Sequence, residues 1–194
     1  MSHEMMTELI SRVNKLGIKC EHAPSTDRID APIAAVACFP MHMVAGASVL
    51  IDSTDQDQMS FTKLFQITAV REAFVIGEQE NSLPVSDADV KVLDEMLAFH
   101  RSADIIIYEY ALDTLSLYFT MANADVVDLL KTVIARSVVA VSKAAGEGWF
   151  GSGGTPSDDQ RTCIDTICLR LKLRESKTAS VVLDEIFHDN SFLD

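Results

Sequence analysis

Glu109 and Asp113 stand four residues apart in an apolar stretch, a spacing that puts two carboxylates on one face of a helix. Two acids so placed could divide the roles of general acid and general base. The same spacing also suits a partly solvated helix face, or a buried pair in which Arg136 supplies the counter-charge. No other catalytic constellation stands out. The histidines His3, His22, His42, His100 and His188 are scattered, and neither G-x-S-x-G nor H-E-x-x-H occurs. Cys20-x-His22 is the only local Cys/His pair, too sparse for a structural zinc site. Cys20, Cys38, Cys163 and Cys168 form no C-x-x-C pair and follow no evident secretory signal, which favours reduced thiols in a cytosolic compartment. No cofactor is implied.

A second set of acids belongs to a pattern that occurs twice. An apolar helical run reaches Gly77-Glu78, a short loop follows, and Ser86-Asp87-Ala88-Asp89 opens the next run, so that the first unit spans about 67–97. The second unit, about 137–171, reaches Gly146-Glu147 and reopens at Ser157-Asp158-Asp159-Gln160. Glycine there stops a helix because it takes the left-handed conformation without a Cβ penalty. Serine restarts one because its hydroxyl accepts from free N–H groups of the first turn, and the acids that follow suit the positive end of the helix dipole. Counting from each serine, Leu93, Met96 and Leu97 match Ile164, Ile167 and Cys168, which keeps one face of each second helix in a core.

The loop after Gly146 carries Gly148, Trp149, Phe150, Gly151, Ser152, Gly153 and Gly154. It lacks the Gly-Lys-Ser/Thr of a nucleotide loop, and Asp158-Asp159 put negative charge where a phosphate would sit. Trp149-Phe150 is an anchor for a protein partner if exposed and a hydrophobic plug if folded inward. The C-terminal segment 178–194 mixes acids with Phe187, Phe192 and Leu193, a composition that can lay an amphipathic helix in a partner's groove or dock on its own domain.

The helix, glycine-containing acidic turn and acid-opened helix of Thr68–Leu97 and Val138–Leu171 resemble the TerB-like tellurite-resistance family, over roughly a third of the chain. That resemblance implies an all-helical fold and an acidic ion-binding surface. The acid that the family places before the glycine is Ile76 in one copy and Ala145 in the other, so the surface would fall to Glu78, Asp87, Asp89, Glu147, Asp158 and Asp159.

The elements that must position these groups are mostly helices. Leu9, Ile10, Val13 and Leu16 recur at helical spacing before Gly17; Cys20 to Asp30 reads as a loop; Asn123 caps a long run through Val126, Leu130, Ile134, Val138 and Val141. Ile105 to Met121 suits a buried helix, although Ile105-Ile106-Ile107-Tyr108 would also suit a strand. Ala31 to Ile51 is uncharged for a bilayer's length. Pro32, Pro40, His42 and Gly46, with acids Asp30 and Asp52 at the ends, favour a buried helix pair, or a helix and strand, broken near Phe39-Pro40.

Together these features predict one all-α domain over 1–194: a helical bundle of about seven to eight helices with a duplicated helical hairpin, and a short strand near 33–51 as an alternative. A net charge of −13 argues against nucleic acid or an anionic membrane as a direct partner. The basic residues Arg170, Lys172, Arg174 and Lys177, interrupted by Glu175, read as a solvated face. With 48% apolar residues and no clear chemistry, the expectation is a non-enzymatic adaptor or accessory subunit that binds a larger protein through Trp149, Phe150, Phe187, Phe192 and Leu193, or assembles as a homo-oligomer. The alternatives are a TerB-like ion-responsive stress protein and, third, an enzyme built on Glu109 and Asp113.

Overall fold

The computed structural model describes residues 3–47, 105–146, 156 and 158–187. The first repeat unit, with Glu78, Asp87 and Asp89, lies outside them, as do Glu147, Trp149, Phe150, Phe192 and Leu193. Within them the chain is all-α: α1 His3–Lys15, α2 Ala31–Ala37, α3 Phe39–Gly46, α4 Ile105–Phe119, α5 Ala124–Gly146, α6 Asp158–Leu171, a 3-10 turn Leu173–Glu175, and α7 Lys177–Phe187. No strand occurs among the described residues. The β alternatives are therefore corrected where they can be seen: residues 33–46 are helical, and so is the Ile105–Tyr108 segment.

The described part of the uncharged run after Asp30 is a broken helix pair, Ala31–Ala37 and Phe39–Gly46, that contributes to the core. Pro32 sits in the first turn of α2, where a missing N–H costs nothing. Pro40 cannot donate to the carbonyl four residues back, so the helix stops at Cys38, whose N–H turns to the Ala35 carbonyl at 3.1 Å, and restarts as α3. The short α3 packs against α2, α4, α5 and α6. Phe39, Met41, His42 and Val44 are all buried. A helix buried over most of its surface has little solvated face on which to carry charge, which accounts for the composition without a membrane. Among the described residues no helix is long and apolar enough to cross one.

Helix α5 packs most extensively on α7 and next on α3, while α4 packs on α6 and α1. Leu130, Ile134 and Val138 of α5 are fully buried, as are Ile164 and Ile167 of α6 and Ala179 and Leu183 of α7. Cys168 is buried with them, so the apolar face expected for the second repeat unit is present. Cys163, which the helical phase sets to another side of α6, is buried too. The apolar helix α7 thus packs on α5 and on the 3-10 turn, with Ala179 and Leu183 buried.

Local signals close several elements. Gly17 adopts φ 80°, its N–H bonds the Asn14 carbonyl at 3.0 Å and the Ile18 N–H bonds the Val13 carbonyl at 3.4 Å, the paired bonds of a Schellman stop. Asn123 caps α5, its side-chain oxygen accepting from the Asp125 N–H at 3.0 Å. The Asn123 N–H in turn reaches the Thr26 carbonyl at 2.8 Å and so ties the N-terminal loop to the start of α5.

Candidate functional site

The paired acids of α4 point to solvent. Glu109 and Asp113 are exposed, and Asp113 bonds Arg170 at the end of α6, with half of the Asp113 side chain still open to water. The expected alternative partner, Arg136, is an exposed residue of α5 and not the one that Asp113 meets. An exposed ion pair of this kind contributes little to stability. It also leaves both carboxylates open to water, with no enclosure to exclude solvent from a reaction.

The acids that open α6 stand apart from one another's help. Asp158 and Asp159 are exposed in the first turn, and the Asp158 carbonyl accepts from the Thr162 hydroxyl at 2.9 Å. Among the described residues no three His, Cys, Asp or Glu side chains gather closely enough to hold a metal ion. His22 is exposed, whereas Cys20 beside it is buried with its Sγ donating to the His22 carbonyl at 3.2 Å. The two residues therefore touch through backbone, not as ligands.

All four thiols are free and buried. Burial pushes Cys38 and Cys163 up to about 12 and Cys168 up to about 11, with the Arg174 charge pulling back slightly on the last. Cys20 is also raised, first by burial and then by the Asp30 carboxylate. Thiols held protonated in this way make poor nucleophiles.

Two buried polar arrangements were not visible as motifs. In the first, the Tyr118 hydroxyl of α4 donates to the Ser25 carbonyl at 2.8 Å and also approaches the Arg28 carbonyl at 3.3 Å. Asp30 accepts from the Ser25 N–H at 2.8 Å, so the α1–α2 loop is fastened from both ends. Burial raises the Tyr118 pKa, and the nearby Asp30 and Asp27 charges add to the shift. In the second, the nearly buried Lys131 of α5 lays its ammonium 2.9 Å from the Lys172 carbonyl, 3.9 Å from Glu175 Oε2 and 5.7 Å from the Phe119 ring centroid. No sequence pattern announces either contact, because the partners lie 93 and 41 residues apart.

The basic run after α6 is not a free positive face. Arg170 pairs with Asp113, Lys172 approaches Glu175 at 3.8 Å, and Arg174 meets Asp184 at 3.1 Å. Acids thus neutralise it locally, in keeping with a solvated face.

The outer surface also presents a few large apolar side chains. Ile106, Leu169 and Val181 are 68%, 79% and 68% exposed, on α4, α6 and α7. The sequence contains a signal for two of them. Once Ile164, Ile167 and Leu171 set the buried phase of α6, Leu169 falls on the opposite side. No helical phase can bury all of Ile105, Ile106 and Ile107. Phe187, the one expected partner-binding residue within a described element, closes α7. A scan against protein-family models finds no match to this chain, and searches of curated proteins and of solved structures find none either.

Proposed function

We propose that this chain is a cytosolic, non-enzymatic accessory subunit or adaptor that binds a larger protein. The observation that carries the reading is Leu169: a large apolar side chain, 79% exposed, on a helix whose opposite face already fills the core. Ile106 on α4 and Val181 on α7 are further exposed apolar side chains. Trp149, Phe150, Phe187, Phe192 and Leu193 are the further anchors that composition offers. Aromatic anchors such as Trp supply much of the binding energy of protein interfaces, and apolar area that a partner takes out of water adds to it.

The test is purification from the native host at native expression level, comparing the wild-type chain with Leu169→Lys and with Trp149→Ser/Phe150→Ser. The expected result is one larger protein in stoichiometric amount, lost or much reduced with at least one of these variants while the helical circular dichroism is unchanged. A wild-type monomer that retains no partner overturns the reading. A self-associated chain with no second protein redirects it to a homo-oligomer.

The rival reading, an ion-responsive protein of TerB-like type, has in its favour that Asp158 and Asp159 are both open to solvent at the start of α6. Calorimetry with calcium, magnesium and zinc separates the two. Binding heat that disappears in Asp158→Asn/Asp159→Asn would favour the ion reading, and no heat at millimolar metal would remove it.

A further inference from the structure

We draw no further inference here: the strongest candidate, the polar cluster beneath the α1–α2 loop where Cys20, Asp30 and Tyr118 converge, leaves the buried Asp30 Oδ1 without a hydrogen bond but directs its remaining contacts to the loop's own backbone, and nothing in the structure points to a ligand for it.

Discussion

Helices α1 and α6 both end in a left-handed residue, and they reach it by opposite means. At the end of α1 the residue is Gly17, with φ 80° and open space within 4 Å of where a Cβ would stand. The stop is made of neighbours: the Schellman bonds, and the Asn14 amide, which donates to the Cys20 carbonyl at 2.9 Å and accepts its N–H at 3.0 Å. At the end of α6 the residue is Lys172, with φ 50° despite a Cβ that disfavours that region by about 1–2 kcal/mol. There the support is remote. The Lys131 ammonium, from another helix, caps the Lys172 carbonyl, and the following turn leads to Ser176, whose Oγ accepts the Ala179 N–H at 3.2 Å to start α7. A charge-assisted bond to a carbonyl, made from a nearly buried side chain, contributes about as much as the left-handed conformation costs. One bend is therefore written locally and the other is imposed by packing.

The largest expected effect comes from the four buried thiols, of which Cys20 lies in the Asn14 clamp and Cys168 one turn before Lys172. An unfolded thiol ionises near its ordinary value of 9.0, whereas Cys38 and Cys163 are held at about 12 and Cys168 at about 11. Above pH 9 the folded state therefore binds more protons than the unfolded one. This contribution is fully present below pH 9 and is lost as pH climbs through the folded values. Urea midpoints measured at pH 8 and pH 10 should fall steeply, and the slope should be shallower in Cys38→Ala. An unchanged slope would mean that surface charge drives the loss.

Next in size is Lys131→Met, which keeps an apolar stem and removes the ammonium. A loss of about 2 kcal/mol in denaturant unfolding is expected, since a charge-assisted bond disappears and a carbonyl is stranded. Thiol labelling should accelerate at Cys168 more than at Cys20; equal acceleration would break the distinction between the two joints. Asn14→Ala should cost about 1–2 kcal/mol through loss of the paired amide bonds, with faster labelling at Cys20 instead.

The smallest effects have opposite signs and sharpen the comparison most. Gly17→Ala should destabilise by about 1 kcal/mol through backbone conformation alone, since the added methyl meets nothing. Lys172→Gly should stabilise by about 0.5 kcal/mol, because the carbonyl that Lys131 caps belongs to the main chain and survives the change. If Lys172→Gly destabilises, the lysine side chain contributes more than its exposed pair with Glu175 implies.

The same division runs through what could be read in advance. The stop at Gly17, the cap at Asn123 and the buried phase Ile164, Ile167, Cys168 rest on contacts within a few residues, and each was legible. Ala31–Gly46 was legible only as two options, since an uncharged apolar run serves a helix or a strand equally well until its surroundings are known. Of the two arrangements that the Glu109/Asp113 spacing allows besides catalysis, the partly solvated face is the one present; that Arg170 pairs with Asp113 follows from the packing of α4 beside α6, which leaves no trace in residue spacing. Of the expected partner-binding residues only Phe187 falls within a described helix, so the aromatic anchors stand on composition.

By itself the sequence determined that this is a helical protein, where several helices start and stop, and which face of α6 turns inward. Those choices follow from backbone stereochemistry and from the burial of a regular apolar stripe, both short-range in the chain. Only the tertiary structure decided that most of the segment from Ile33 to Val44 is buried in the core, that Lys131 secures a left-handed lysine 41 residues away, and that Leu169 is left in water. Burial and charge pairing depend on which surfaces meet, and that is settled by the packing of whole helices rather than by any local signal.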